Sequence, residues 1–422
     1  MTFKKTVLKN GLRLITIPMA DNPSVAVLVM VEAGSKYETK ADNGLSHFLE
    51  HMVFKGTTKR PHSSDISREL DSLGAHYNAF TGQEYTGYWA KAEAKHLDKI
   101  LDVVSDMYLH PLLDEKEMAK ERGVIIEEIR MYKDLPQAHV QDLFMELLYG
   151  DQPAGWNIAG PEANVRSFAR DAFVTYRSTH YVASATTVVV AGAIDEKEVI
   201  AMVDRAFNDV SATAKAVKLA VKESQDKPRL KVAPKETDQT HLVIGVRTFS
   251  VFDKNMPTMQ ALSTVLGGGM SSRLFTKMRD ELGICYYIRT SHDPFTDHGF
   301  LSVSAGVDNT RVEEAVKGIL AECARLKTEL VPPAELQKAK DYIAGTTMLE
   351  LETSEERAEY CGYQEALKGR VDSPEDLIAK VNAVTAADIQ ALARRIFVDA
   401  GLNLALIGRA KEENLAPIVR FG

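Results

Sequence analysis

Apolar and polar positions along this chain alternate between strand-like and helix-like spacing. Residues 12–18 (L-R-L-I-T-I-P) and 25–31 (V-A-V-L-V-M-V) read as strands, the second apolar throughout, as a strand covered on both faces would be. In G-L-S-H-F-L-E-H-M-V-F-K-G, residues 44–56, the apolar Leu45, Phe48, Leu49, Met52 and Val53 follow the i, i+3, i+4, i+7, i+8 spacing of one helical stripe. A helix is expected there, with Asp42 or Asn43 capping its start and Gly56 ending it in a left-handed conformation. A helix over 64–73, a turn at Gly74, a strand-like run over 76–90 and a helix over 95–108 come next. A further long helix is expected from the capping pair Asp114 and Glu117 to about Tyr132, where Pro136 stops it. The mixture places the chain in the α+β class.

Two segments suggest an internal repeat. T-T-V-V-V-A-G-A-I (residues 186–194) and L-N-L-A-L-I-G-R-A (residues 402–410) are both strand-like, and each follows helical sequence. Two similar halves are expected, each a mixed or antiparallel sheet packed with helices. Between them, residues 211–229 are rich in Ala, Lys and acidic residues and lack aromatics, reading as a polar, partly helical connector. The expected division is 1–215 for the first domain and 216–422 for the second.

Composition narrows the function classes. A chain of 422 residues, 45% hydrophobic and 26% charged, can build two substantial cores. Its net charge of -8, with no basic run carrying interleaved aromatics, argues against nucleic-acid binding. Cys285, Cys323 and Cys361 lie far apart without C-x-x-C spacing, which fits a reducing compartment better than a disulfide framework or a thiolate zinc site. The N-terminus passes directly into a strand pattern and no segment is apolar enough to span a bilayer, so a cytoplasmic protein without a membrane partner is expected.

The predicted helix over 44–56 also carries chemistry. His47 and His51 are about one turn apart and project from one side, as two ligands of one metal must. Glu50 stands beside them and could hold and deprotonate a metal-bound water. Two histidines at this spacing are also ordinary on a helix surface; a catalytic zinc site needs a third protein ligand. The helix over 114–134 offers candidates. Glu121 and Glu128 are two turns apart on the side of Ile125 and Tyr132, whereas Glu115, Glu117 and Glu127 suit a solvated face. Spacing alone leaves both Glu121 and Glu128 open.

H-F-L-E-H-M-V-F-K-G-T, followed downstream by E-R-G-V-I-I-E-E-I, resembles the inverted-zincin metallopeptidases of the pitrilysin family, in particular short-subunit members such as mitochondrial processing peptidase. The resemblance implies one zinc ion per subunit held by His47, His51 and Glu128, Glu50 as general base, and Glu121 as the partner of a ligand. G-A-H-Y-N-A-F-T (residues 74–81) is similar to the family's edge strand, which pairs with an extended substrate. Asn78, Ala79 and Phe80 would then bind peptide mainly through the backbone, by β-augmentation. L-G-G-G-M-S-S-R-L-F-T-K-M-R-D-E-L-G-I-C-Y-Y (residues 266–287) resembles a second signature, implying that Arg279 and Tyr286 stabilise the substrate carbonyl as it becomes an oxyanion. Its glycines are not followed by G-K-[ST], which rules out a phosphate loop. The resemblance further implies a processing-peptidase-like metallohydrolase fold and a dimer. In that dimer the zinc domain of one subunit faces the Arg279/Tyr286 domain of a second copy or a related partner. The expected function is a zinc endopeptidase acting on extended peptides or unfolded segments. The alternatives are a presequence-type processing peptidase and a non-catalytic structural subunit, the latter disfavoured because every motif residue is present.

Overall fold

S-V-A-V-L-V-M-V, residues 24–31, is covered on both faces, and the sheet around it shows why. In the computed structural model, which describes residues 1–421, the strands β1 (Lys4–Val7), β2 (Arg13–Pro18), β3 (Ser24–Val31), β4 (His76–Thr81), β5 (Thr86–Glu93) and β6 (Thr186–Gly192) form a six-stranded sheet in the order β1-β2-β6-β3-β5-β4. Successive residues of β3 point to opposite faces. Val25, Val27, Val29 and Val31 enter one core with the apolar stripe of the Leu45–Met52 helix. Ala26, Leu28 and Met30 enter another with Ala358 and Cys361 of the Ser354–Lys368 helix.

A second sheet contains β7 (Arg229–Pro234), β8 (Thr240–Arg247), β9 (Cys285–Pro294), β10 (Gly299–Val307) and β11 (Leu402–Gly408), in the order β7-β11-β8-β10-β9. It repeats the first without β1. The two segments noted as a sequence repeat, β6 and β11, each run parallel to one neighbour, β2 or β7, and antiparallel to the other, β3 or β8. Each sheet then ends in an antiparallel hairpin whose outer strand, β4 or β9, is an edge. One face of the second sheet carries the Pro136–Tyr149 helix, with Val140, Phe144 and Leu148 packed on Val243, Ala405 and Ile407.

The compact units differ from a single cut at residue 215. The first comprises residues 1–129, 156–219 and 348–372, and the second 130–155, 220–347 and 373 onward. Each sheet takes one covering helix from the opposite half of the sequence, Ser354–Lys368 for the first and Pro136–Tyr149 for the second, and no local pattern encodes that exchange. Other expectations change in detail. The run over 76–90 is the β4–β5 hairpin rather than one strand. Pro136 begins a helix at its first position, where a missing N–H costs nothing, instead of merely stopping the one before. Asp114 caps the Glu115–Asp134 helix through the N–H groups of Lys116 and Glu117, but Glu117 turns to Lys120 rather than completing a capping box. Residues 211–228 contain no helix. The part up to Leu219 is fastened to the first unit, with the Ser211 carbonyl accepting from the Ala183 N–H, Lys218 reaching the buried Glu84 at 3.2 Å and Lys215 pairing with Glu32, whereas the Val221 and Lys222 N–H groups donate to Asp297 and Gln152 of the second. Among the described residues no helix is long and apolar enough to cross a membrane, and the three cysteines are buried and unpaired.

Candidate metal centre and active site

The helix carrying the two histidines spans Leu45–Met52, with its apolar stripe buried and its histidines half-buried. Its ends differ from expectation. The N-cap position is Gly44, at φ 102°, and neither Asp42 nor Asn43 caps the helix with its side chain. At the other end Val53 remains right-handed, and Gly56, at φ 118°, turns the chain three residues later. The segment that follows is pinned to the Leu97–Leu109 helix. Arg60, itself buried, donates to Asp106 at 2.9 Å, to Asp102 at 2.8 Å and to Glu69 at 2.7 Å, and Thr57 donates to Asp106 at 2.5 Å.

Three groups meet beside this helix. His47 Nε2 lies 3.7 Å and His51 Nε2 3.4 Å from the same oxygen, Oε2 of Glu128. One ligand atom from each of the three residues can be chosen with all separations within 4.8 Å. Tetrahedral zinc with bonds near 2.0–2.2 Å places its ligand atoms about 3.3–3.5 Å apart, close to the two distances to Glu128, so the donor set fits such an ion once its widest separation contracts. On the far side of its ring, His51 Nδ1 lies 2.9 Å from Glu121 Oε1, and the other Glu121 oxygen lies 2.8 Å from Lys55 Nζ. A proton on Nδ1 facing a carboxylate leaves the Nε2 lone pair directed towards Glu128, the tautomer a metal ligand requires. His47 Nδ1 is buried with no hydrogen-bond partner among the described residues. Of the two glutamates that spacing left open, Glu128 stands at the centre and Glu121 behind it, while Glu127 is not in the cluster.

The electrostatics follow from this packing. Burial lowers the His47 proton affinity, and the neighbouring His51 lowers it further, to about 4 against the pull of Glu128. Burial also opposes charge on His51, but its bonds to Glu121 and Glu128 outweigh that and raise it to about 9. Glu128 is held below the usual carboxylate range by its bond to His51. Burial raises the Glu50 carboxyl above that range, with the Thr81 side chain and His51 acting in the opposite direction. A carboxylate whose proton affinity is moved towards neutrality is better suited to take up and return a proton.

Thr81 ends the edge strand β4, so Glu50 adjoins that edge. The Gly82 N–H bond to the Tyr85 carbonyl, 2.8 Å, fixes the hairpin alternation: Asn78 and Phe80 turn their backbone groups to β5, and Tyr77, Ala79 and Thr81 turn theirs outward. The outward N–H of Ala79 is covered by its neighbour's carboxamide, Asn78 Oδ1, at 2.9 Å. Self-capping of this kind protects an exposed edge until another strand replaces it. The Ala79 side chain is buried in the core. The Phe80 ring packs 5.6 Å from Tyr363 and lies over Gly87, where a Cβ would come within 2.2 Å of it.

Arg279 and Tyr286 belong to the second unit. Arg279 sits in a widened helical turn, Phe275–Glu281, and Tyr286 on the edge strand β9. The structure brings the pair together: Arg279 donates to the Tyr286 carbonyl at 2.5 Å and its guanidinium lies 5.2 Å from the Tyr286 ring centre. Tyr286 is 70% exposed, so neither residue owes its position to core packing. Three residues at the first unit's centre escaped sequence reasoning. Lys55, four positions after His51, was within reach of pattern reading; Thr81 and Glu38 act through the fold and left no local signal.

Two family models cover most of the chain. Residues 13–162 match "Insulinase (Peptidase family M16)" and residues 167–343 match "Peptidase M16 inactive domain". The "Uncharacterized zinc protease YmxG" of Bacillus subtilis is 34% identical over 399 residues, 94% of this chain and 96% of the relative. An "Uncharacterized zinc protease" of Rickettsia bellii is 32% identical over 407 residues, 96% of this chain and 97% of the relative. A solved protease from Helicobacter pylori shares the fold with a TM-score of 0.91 at 23% identity, covering 96% of this chain and 99% of its own.

Proposed function

Because the chain belongs to peptidase family M16, we propose that it is a zinc-dependent endopeptidase for extended peptides or unfolded segments, with one zinc per subunit and a site completed across a dimer. The observation that carries the reading is the convergence of both imidazole Nε2 atoms on one Glu128 oxygen, with His51 oriented from behind by Glu121. His47, His51 and Glu128 would hold the ion, which when bound supplies a Lewis acid that polarises the scissile carbonyl and lowers the pKa of a water.

The remaining steps fall to side chains and backbone. A peptide strand would add to β4, trading Asn78 Oδ1 for its own carbonyl at the Ala79 N–H. Main-chain pairing of this type tolerates many sequences but demands an extended chain. Glu50 would take a proton from the attacking water and return it to the leaving amine. Arg279 and Tyr286 of a second subunit would donate to the carbonyl oxygen as negative charge develops on it. Their mutual contact and exposure support a pair available to substrate.

Zinc needs a neutral His51, yet the metal-free side chain holds its proton up to about 9. Uptake near pH 7 is therefore expected to release about one proton per chain, and affinity to weaken steadily as pH falls below about 9. Calorimetric titration in buffers of different ionisation enthalpy reads this directly; a buffer-independent enthalpy would contradict it. The shared site is tested by mixing. Glu50→Gln and Tyr286→Phe subunits, each inactive alone, should recover about a quarter of wild-type peptide cleavage after subunit exchange, because about half the dimers then hold one intact site. No recovery on proven exchange would place both residues in one subunit's own site.

A further inference from the structure

A buried carboxylate outside the motif holds the helix that bears the histidines. Glu38, 3% exposed, accepts from the Ser46 N–H at 2.7 Å, the Ser46 hydroxyl at 2.5 Å, the Gly44 N–H at 2.9 Å and Asn43 Nδ2 at 3.2 Å. It does from a distance what Asp42 and Asn43 do not do locally, satisfying N–H groups at the start of the Leu45–Met52 helix. Ser46 is the residue immediately before His47. Gly44 is closely confined here: at its φ of 102° an added Cβ would lie 2.5 Å from the Ala159 carbonyl oxygen.

The turn that leads into Glu38 is itself fixed. Lys36, two residues earlier in the short turn Ser35–Tyr37, is fully buried and pairs with Glu84 at 2.9 Å, and its N–H reaches the Gln83 carbonyl at 2.8 Å. Glu84 and Gln83 lie in the loop joining β4 to β5. The chain of contacts therefore runs from the hairpin bearing the edge strand, through this turn, to the first turn of the histidine helix. That helix has eight residues, too few to be stable or rigid by itself, so its register depends on how its ends are held. Burial keeps the Glu38 carboxyl up at about 7 although Ser46, Gly44 and Asn43 all donate to it. A purely stabilising cap would be cheaper at the surface.

We propose that Glu38 is a positioning residue of the metal centre, setting the rotation and axial position of the helix so that His47 and His51 converge on Glu128 while staying in register with the β4 edge. This rests on the zinc reading above. The test uses the full chain as wild type, Glu38→Ala and Glu38→Gln, with zinc affinity measured by competition against a chromogenic chelator. Circular dichroism and the thermal midpoint of the metal-free proteins are followed in parallel. Expected is a folded Glu38→Ala protein whose zinc Kd rises about 10–100-fold, the scale of losing a group that orients a ligand, with a smaller rise for the isosteric glutamine. A cobalt-substituted sample should show a changed absorption spectrum, which a merely structural role would leave alone. A folded alanine variant with wild-type zinc Kd overturns the proposal, whatever its thermal midpoint. Should that variant fail to fold, the glutamine variant decides: a raised Kd supports the proposal and an unchanged one overturns it. A wild-type chain that binds no zinc overturns the zinc reading itself, an outcome separate from the variants' behaviour.

Discussion

Glu50→Gln is expected to retain its zinc and to lower kcat about 10³-fold, within the range for losing a general base. Glu50 is not among the three residues whose donor atoms cluster, so its replacement leaves the ion's coordination intact. Glutamine keeps the size and can keep contact with Thr81, which preserves the packing beside β4. What it cannot do is accept the water's proton and return it to the leaving nitrogen. KM should change little, because peptide binding is assigned to the β4 backbone, and a fall confined to kcat is the mark of an interaction made in the transition state. Turnover near wild type in metal-loaded Glu50→Gln protein would remove the residue from its assigned role.

His51→Ala should behave differently, losing zinc itself. One of the three proposed protein ligands disappears, and with it the imidazole of the cluster whose ring Glu121 orients. Affinity should fall by more than about 10²-fold, beyond the loss expected for an orienting neighbour alone. The metal-free protein should suffer too. In it His51 carries its proton up to about 9 between Glu121 and Glu128, and removing that cation leaves Glu121 to Lys55 alone and Glu128 facing a neutral His47. The sign follows from linkage: a proton affinity raised above the unfolded value of 6.5 contributes stability at acid and neutral pH that is lost as pH rises through about 9. The thermal midpoints of metal-free wild type and His51→Ala should therefore differ most below pH 6.5 and converge above 9. Zinc content after dialysis separates the two variants: present with Glu50→Gln, absent with His51→Ala.

Much of this centre was legible in the sequence because it lies on helices, where period alone puts residues on one side. His47, Glu50 and His51 share two turns of one helix, and Glu121 and Glu128 lie two turns apart on another. Period could not choose between Glu121 and Glu128, since both face the same way. The choice is made by where each one meets the histidine helix, a tertiary fact. Glu38 was out of reach for a different reason: its partners are mostly backbone N–H groups, which every residue carries and no motif marks. The fold shows the same division. Continuous apolar runs revealed β3, β6 and β11, and the likeness between the latter two anticipated their matching places in the two sheets. The exchange of the Pro136–Tyr149 and Ser354–Lys368 helices between units was invisible, because an amphipathic helix specifies a face to bury and not the sheet that will bury it.

If zinc held by His47, His51 and Glu128 carries peptide hydrolysis by this chain, cleavage and metal content must rise and fall together. The measurement is cleavage of a quenched, unstructured peptide by purified protein, with zinc counted per chain, before chelation, after it, and after zinc is returned. Expected are one zinc per chain, loss of cleavage with the metal and recovery on its return, with no recovery in Glu128→Gln. Undiminished cleavage by metal-free protein would contradict it.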